Sequence, residues 1–538
     1  MRNFATFEHL DPQRTYVGFD IGFINRMFSQ TLTTFPAKSG NASNKLIPDA
    51  ATDTGKSSDG AKTWSFTLRD GLKWQDGKAV TCEDFKYGVS RTFAVDQITG
   101  GPNYAIQWLD IPTNADGTSK YPGPYKATDA QQKMYDKAVV CNGNTITFHL
   151  NSPHGDFNQT VYMPAFAAIR KDKDTGAKYD FTPFSDGPYM VQGTFDKDKG
   201  GTLVRNPHWG GAAADGGIRK AYPDKVVIKQ GDDPATIGQA LISDTGDAKN
   251  TVTATRIDPS LVAQAESNAK SKDRTVTVTA PYTDYLFFNL TSPQMKNKAV
   301  RQAIGMAFDK QAYATASGGA AAMKVADGGV INPTLPAAFK KFNPWGTPPQ
   351  GDPAKAKQVL QQAGIKTPYP LTYTYRGSPT QDKVSAGIQE ALGKAGFKIT
   401  LKKVPDATVY YSKIQDPNFL KDVDFGWSSW GADWPSGSTV VPALYTSQQV
   451  GKVSRGQNYG AYINKSLDKQ VDQTYGITDN AQAQQAWSKL DEQVIKDGAV
   501  LPVGYNTFTY IQGGNIKGLV YNQAEGGASP DLATIAVK

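Results

Sequence analysis

The sequence predicts an α/β protein with more than one domain, and three observations support this prediction. The chain has 538 residues, which is more than one compact core accommodates and corresponds to roughly 2–4 domains. Stretches with strand periodicity alternate along the chain with stretches of helical periodicity. Residues 371–404 have the pattern of a strand, a helix and a second strand, which predicts a βαβ unit with a right-handed crossover.

The predicted elements follow from periodicity and from the residues that cap helices. The strands alternate apolar and polar side chains, and they are residues 64–68, 145–150, 225–229, 274–280, 371–376 and 397–404. The helices have apolar side chains at helical spacing, and they are residues 297–313, 352–364, 380–396 and 479–498. Asp352 and Pro353 suit the N-cap and the first helical position, and Gly364 suits the end of that helix.

The chain has two cysteines. Cys82 lies at the start of a predicted helix, and Cys141 lies just before a predicted strand. Buried free thiols and a disulfide both fit these positions, and the even count favours an oxidising compartment. We expect a disulfide, which would contribute about 4 kcal/mol in the chain-entropy model.

Charge and hydropathy exclude several classes of protein. The net charge is +8, from 58 Lys and Arg against 50 Asp and Glu, and the lysines are scattered. We therefore expect a solvated surface and no nucleic-acid partner. No apolar run approaches the roughly 18–20 residues that span a bilayer. No basic segment followed by an apolar stretch opens the chain, so we expect that an export signal is missing from it.

The usual local signs of catalysis are missing. The four histidines, His9, His149, His154 and His208, show no metal-ligand spacing. There is no Gly-x-Ser-x-Gly elbow, no Walker A motif and no Gly-x-Gly-x-x-Gly after a strand. We therefore expect no enzymatic activity, no metal and no cofactor. Carboxylates are plentiful, so counting them leaves a two-carboxylate glycoside hydrolase open. The nine Trp and 25 Tyr suit sugar stacking, and they suit a peptide pocket or an ordinary core equally.

Five stretches, in order along the chain, point to a known family. Residues 64–91 read WSFTLRDGLKWQDGKAVTCEDFKYGVSR. The others are residues 184–191 (FSDGPYMV), 205–209 (RNPHW), 298–310 (KAVRQAIGMAFDK) and 352–364 (DPAKAKQVLQQAG). Together they resemble the family 5 solute-binding proteins of ABC importers, which include dipeptide-, oligopeptide- and nickel-binding proteins.

The chain departs from the family pattern in two places. Ser185 and Asp186 stand where the family has Gly-Thr, and only residues 1–10 precede the Asp11-Pro12 pair, where the family has a short strand. We expect that this strand is trimmed. The cysteine pair and the insert at residues 99–124 resemble actinobacterial members of the family.

The resemblance implies a two-lobe periplasmic-binding-protein type II-like fold of cluster C. It implies an extra inserted subdomain and a ligand cleft between two lobes that close over the ligand. The expected lobe I is discontinuous and comprises residues 1–50, 184–279 and 503–538. The expected inserted subdomain comprises residues 51–183, and the expected lobe II comprises residues 280–502.

The resemblance also assigns ligand-binding residues. In oligopeptide-binding relatives a Trp-x-Ala-Asp stretch, matched here by residues 430–433, supplies the carboxylate that pairs with the peptide ammonium. That role falls to Asp433, with Trp430 as a pocket wall, because an ammonium out of water needs a fixed acceptor. In dipeptide-binding relatives an Arg at the place of Arg376 binds the ligand carboxylate through two parallel hydrogen bonds. The other expected wall residues, all aromatic, are Tyr104, Trp108 and Tyr505.

The implied function is that of a non-enzymatic, extracytoplasmic subunit of an ABC importer. It would bind short peptides or amino-acid-like zwitterions and deliver them to permease subunits in the membrane. We expect a monomer at the cell surface or in the periplasm, lipid-anchored in its native form. The alternative is the same fold with a nickel chelate, an oligosaccharide or a biosynthetic intermediate as ligand, although the scarcity of histidine disfavours direct metal ligation. A secreted glycoside hydrolase is the remote alternative.

Overall fold

The computed structural model describes residues 1–538, and the chain divides into two compact units. Unit 1 comprises Met1–Val278 and Thr509–Lys538, and unit 2 comprises Thr279–Phe508. The chain therefore crosses between units after residues 278 and 508, compared with the crossings expected after residues 279 and 502. The separate inserted subdomain stays a prediction.

The strands and helices alternate along most of the chain. The strands are β1 (Thr33–Thr34), β2 (Ile47–Pro48), β3 (Lys56–Ser58), β4 (Thr63–Thr67), β5 (Val139–Asn142), β6 (Thr145–His149), β7 (Tyr189–Asp196), β8 (Gly200–Arg205), β9 (Lys225–Lys229), β10 (Thr275–Phe288), β11 (Met323–Val325), β12 (Tyr369–Arg376), β13 (Phe397–Val404), β14 (Phe425–Gly431), β15 (Val500–Ile511), β16 (Ile516–Lys517), β17 (Val520–Asn522), β18 (Ser529–Asp531) and β19 (Ala536–Val537). The α-helices are α1 (Gly18–Met27), α2 (Cys82–Arg91), α3 (Tyr104–Trp108), α4 (Asp129–Ala138), α5 (Phe157–Thr160), α6 (Ala212–Asp215), α7 (Pro234–Ser243), α8 (Val262–Ser267), α9 (Lys298–Ala307), α10 (Lys310–Ala316), α11 (Pro353–Gln362), α12 (Pro379–Lys394), α13 (Tyr410–Gln415), α14 (Val441–Tyr445), α15 (Lys465–Tyr475) and α16 (Asn480–Lys496). None of these helices combines the length and the apolar character needed to cross a lipid bilayer.

Unit 1 contains a four-stranded sheet and a three-stranded sheet. Their strand orders are β3-β4-β6-β5 and β7-β8-β9, and all neighbouring strands are antiparallel. Helix α2 starts behind a capping box formed by Thr81 and Asp84, which satisfies backbone donors of the first turn. Cys82, the first residue of α2, is bonded to Cys141 on β5 with the two Cα atoms 5.8 Å apart. The disulfide therefore joins α2 to the four-stranded sheet.

Unit 2 is organised on a six-stranded sheet with the order β11-β15-β10-β14-β12-β13. Strand β12 runs parallel to β13 and to β14, whereas β10 runs antiparallel to β14. The core combines buried side chains of the sheet, such as Tyr373 and Phe425, with buried side chains of the helices, such as Ile304 and Leu392. Both crossings between units lie inside the long strands β10 and β15.

Most predicted elements are confirmed. Strands β9 and β13 have the predicted bounds, and the βαβ unit is confirmed because β12 and β13 pair in parallel on either side of α12. The single helix predicted over residues 297–313 is wrong, because the structure has α9 and α10 there. Phe308 leaves the helical conformation, and the Asp309 side chain caps α10 by accepting a hydrogen bond from the N–H of Ala312 at 2.7 Å.

Candidate ligand-binding site

Two predicted site residues lie near one edge of the sheet of unit 2. Strands β12 and β14 are parallel neighbours, with Tyr373 opposite Phe425 and Thr374 opposite Gly426. Because parallel strands have their carboxyl ends at the same edge, β12 ends at Arg376 on the side where β14 leads to Asp433. Loops at the carboxyl edge of parallel strands are the usual location of ligand sites in α/β folds.

Arg376 presents a guanidinium that the protein uses only in part. The side chain is half-buried, and its Nε donates one hydrogen bond to the carbonyl oxygen of Ala407 at 3.1 Å. No carboxylate oxygen lies within 4.0 Å of the guanidinium nitrogens. The Nη1 and Nη2 groups are therefore left with donors that suit a planar anion such as a carboxylate.

The start of helix α12 adds to the positive field at Arg376. The helix begins three residues after Arg376 at Pro379, and Ser378 caps it by accepting a hydrogen bond from the N–H of Gln381 at 3.1 Å. The amino-terminal end of a 16-residue helix has a partial positive charge. An anion near Arg376 therefore benefits from the guanidinium and from the helix terminus together.

Tyr411 lies close enough to Arg376 for their electrostatic interaction to affect its pKa. Burial raises the pKa of the Tyr411 hydroxyl to about 12, the charge of Asp284 adds to this rise, and the positive charge of Arg376 opposes it. The ring centroids of Tyr411 and Trp427 are 6.4 Å apart. Tyr411 is thus a neutral phenol beside Arg376. The sequence did not identify it as a site residue, because being one of two adjacent tyrosines is a weak signal.

Trp430 and Asp433 lie at the end of β14. Trp430 pairs with Thr283 of β10, is half-buried, and donates a hydrogen bond from Nε1 to the carbonyl oxygen of Thr439 at 2.9 Å. Asp433 follows two residues beyond the last residue of β14 and is also half-buried. The arrangement brings a cationic and an anionic side chain to the ends of two neighbouring strands.

A buried acid that the sequence analysis missed lies in the same sheet. Asp284 of β10 is 4% exposed, and its Oδ2 accepts hydrogen bonds from the Tyr313 hydroxyl at 2.7 Å and from Trp427 Nε1 at 3.1 Å. Its Oδ1 accepts a hydrogen bond from Asn506 Nδ2 at 2.8 Å. No Lys, Arg or His nitrogen lies within 4.0 Å of it, so three neutral donors satisfy this carboxylate. The sequence signal that could have identified Asp284 is an acidic residue within a largely apolar strand.

The remaining predicted wall residues are placed differently. Tyr505 of β15 is 2% exposed, donates a hydrogen bond from its hydroxyl to the carbonyl oxygen of Gly329 at 3.1 Å, and packs edge-on against Phe339. These contacts favour a role for Tyr505 in the interior of unit 2. They do not support its assignment to a ligand wall, which stays a prediction.

Tyr104 and Trp108 belong to unit 1 and lie on the short helix α3. Their ring centroids are 4.9 Å apart, and Trp108 stacks on the imidazole of His154 with centroids 4.0 Å apart. Burial lowers the pKa of His154 to about 3, so the imidazole is neutral at neutral pH. Their role as wall residues also stays a prediction.

The side chains show no arrangement suited to a metal ion. No group of three or more His, Cys, Asp or Glu side chains is placed to hold one.

Comparison with known proteins decides the family. The model of the bacterial extracellular solute-binding proteins, family 5, matches residues 45–452 of the chain. The chain belongs to this family. The family predicted from the five sequence stretches is therefore confirmed.

Individual known proteins resemble the chain over almost its whole length. The probable D,D-dipeptide-binding periplasmic protein DdpA of Escherichia coli is 22% identical over 92% of this chain and 86% of its own. The oligopeptide-binding protein OppA of Bacillus subtilis is 24% identical over 89% of this chain and 83% of its own. The solved structure of clavulanic acid biosynthesis oligopeptide binding protein 2 is 26% identical, has a TM-score of 0.90 and covers 100% of this chain and 94% of that chain. The predicted two-lobe fold is thereby confirmed.

Proposed function

We propose that this family 5 protein binds short peptides or amino-acid-like zwitterions outside the cytoplasm and delivers them to the permease subunits of an ABC importer. The observation on which the proposal rests is the guanidinium of Arg376, which has no acidic partner at the sheet edge where β14 also leads to Asp433. The relatives named as dipeptide- and oligopeptide-binding proteins support the same ligand class.

The charges at the site match the two ends of a peptide. A guanidinium donates two parallel hydrogen bonds to a carboxylate, and a carboxylate such as that of Asp433 accepts hydrogen bonds from an ammonium. Both ligand ends lose water on binding, so each needs a charged partner of opposite sign. A neutral sugar would leave Arg376 without such a partner, and a zwitterion would not.

Several finer features belong to the same proposal. The protein acts by binding and release and not by turnover, it is a monomer, and it is held at the cell surface by a lipid. Closure of two lobes over the ligand, and the wall roles of Tyr104, Trp108 and Tyr505, are expected from the resemblance. The name of the structural relative places it in clavulanic acid biosynthesis, so supply of a biosynthetic pathway is the second candidate for the role of this chain.

Identification of the co-purified ligand tests the proposal. The protein is purified without denaturant, its mass is measured by native mass spectrometry, and the molecules released on denaturation are then identified. Refolded, extensively dialysed protein is the control for an empty site. We expect amino acids or short peptides with free termini. A released oligosaccharide or metal chelate would contradict the zwitterion proposal, and so would an empty protein that takes up no added peptide.

A further inference from the structure

Asp433 lies in the segment that connects β14 to α14, residues 432–440, which we call the connecting segment. The strand side of this segment is fixed by Trp430, whose Nε1 donates a hydrogen bond to the carbonyl oxygen of Thr439 at 2.9 Å. This bond joins the end of β14 to the far end of the connecting segment. Asp433 is thus part of a closed loop, and the way in which the middle of that loop is held affects where the backbone of Asp433 lies.

Gln484 of α16 holds the middle of the connecting segment with both ends of its amide. The side chain is 1% exposed, its Oε1 accepts a hydrogen bond from the N–H of Gly437 at 2.9 Å, and its Nε2 donates one to Ser436 Oγ at 2.9 Å. A third bond from Nε2 to Asn480 Oδ1, at 3.1 Å, fixes the orientation of the amide on its own helix. A buried amide with these partners is costly to remove, because its partners would lose their hydrogen bonds out of reach of water.

Close packing reinforces these bonds. A Cβ atom on Gly437 would lie 2.4 Å from the Cβ of Trp487, so the connecting segment approaches α16 as closely as only glycine allows. Trp487 is 2% exposed and lies one helical turn after Gln484. Helix α16 therefore determines the position of residues 436 and 437, three and four residues after Asp433.

We propose that Gln484 is a positioning residue for ligand binding, because it holds Ser436 and Gly437 so that Asp433 stays where a ligand ammonium binds. The inference rests on the proposed function, and Gln484 itself need not touch the ligand. If the carboxylate is in place for only about a tenth of the time once Gln484 is removed, the apparent dissociation constant rises about tenfold.

The test compares peptides that differ only at one terminus. The probes are an equimolar mixture of tripeptides with free termini, the same mixture N-acetylated, and the same mixture C-terminally amidated. Bound fractions are measured by native mass spectrometry for wild-type protein, Gln484→Ala, Asp433→Asn and the double variant. Gln485→Ala is the matched control, because Gln485 is the exposed neighbour of Gln484 on the same helix.

We expect Gln484→Ala to lower the preference for free over acetylated peptides about tenfold and to leave the preference for free over amidated peptides unchanged. The double variant should lose no more than Asp433→Asn alone, because both changes act on one interaction. Equal loss of all three mixtures would show a merely structural role and overturn the inference. An unchanged preference in Gln484→Ala, with a lost preference in Asp433→Asn, would also overturn it.

Failure of the proposed function gives a different result. If Asp433→Asn keeps the preference for free amino termini, or if wild-type protein binds none of the mixtures, the ammonium assignment itself is wrong and the inference falls with it. If Gln484→Ala does not fold, as judged by circular dichroism, Ser436→Ala is scored by the same criteria, because it removes the hydroxyl that accepts hydrogen bonds from Gln484 Nε2 and, at 3.2 Å, from the N–H of Ser438.

Discussion

Arg376 is tied to Ala407 by a single hydrogen bond, from Nε to the carbonyl oxygen at 3.1 Å, and no acid balances its charge within 4.0 Å. Most buried arginines of this protein form ion pairs with acids. Arg219, for example, has its Nη1 2.7 Å from Oδ1 of Asp49. A half-buried guanidinium without an acid loses part of its hydration and gains no compensating charge, which is costly unless a ligand supplies the anion.

The first prediction follows from this contrast. Arg376→Gln should weaken binding of peptides with a free carboxyl terminus by roughly 10–100-fold, the usual range for a lost charged hydrogen bond. Amidated peptides, which lack the anion, should bind wild-type protein and the variant alike. Calorimetric titration of both peptide forms measures this. Arg205→Gln, at an exposed position in unit 1, is the control. Equal affinity of wild-type protein for both peptide forms would remove Arg376 from the site.

The second prediction concerns Asp433. Asp433→Asn should abolish the preference for peptides with a free amino terminus, because an amide lacks the charge that attracts an ammonium. The thermal midpoint of the ligand-free protein should change little, because Asp433 is half-buried in a connecting segment that other residues hold. Asp422→Asn, at an exposed acid of the same unit, is the control. Intact selectivity in Asp433→Asn would contradict the assignment.

Local patterns in the sequence account for the elements predicted correctly. Strand β9 is a short β-branched run between two lysines, β13 alternates apolar and polar side chains over most of its length, and α11 starts at an Asp-Pro pair. Neighbouring residues alone therefore specify the bounds of these elements. The break between α9 and α10 escaped prediction because the apolar stripe continues into Phe308, and only the capping by Asp309 interrupts the helix. Helix propensity and the apolar periodicity both favoured one continuous helix there, and the cap formed by Asp309 outweighed both.

The candidate site was less predictable, because its supporting contacts join residues far apart in sequence. Asp284 and Asn506 are 222 residues apart, and Ser436 and Gln484 are 48 residues apart. No spacing rule connects such residues, so the buried polar networks appear only once the sheet of unit 2 is assembled. Resemblance to the family indicated Arg376 and Asp433, but the residues that hold them had to be found in the structure.

The third prediction concerns the disulfide between Cys82 and Cys141. Mass spectrometry of unreduced, alkylated protein should show no modified thiol, because the two sulfurs are bonded. The paired change Cys82→Ser with Cys141→Ser should reduce the free energy of unfolding by roughly 2–4 kcal/mol, because the bond closes a long loop of the unfolded chain. Affinity for peptides should not change, since the bond lies in unit 1 and the candidate charged residues lie in unit 2. Alkylation of both cysteines without reductant would contradict the prediction.

The fourth prediction is a pH dependence that originates at Asp491. This side chain is 3% exposed and accepts hydrogen bonds from the N–H of Ile331 at 3.0 Å and from the Tyr445 hydroxyl at 3.1 Å. Burial raises the pKa of Asp491 from 3.8 to about 6. The folded protein therefore binds this proton more tightly than the unfolded chain does. The resulting stabilisation is complete below pH 3.8 and is lost as the pH rises through about 6.

The Asp491→Asn variant isolates this contribution. The amide oxygen can accept from Ile331 and the amide nitrogen can donate to Tyr445, so both contacts persist without a titrating group. Between pH 4 and pH 7.5 the variant should gain about 2.5 kcal/mol of unfolding free energy relative to wild type, which is most of the roughly 3 kcal/mol that the full pKa difference represents at 1.36 kcal/mol per pH unit. Urea unfolding at both pH values measures this, with Asp472→Asn, at an exposed position of α15, as the control. A constant difference between wild type and Asp491→Asn across this range would show that Asp491 titrates alike in the folded and unfolded states.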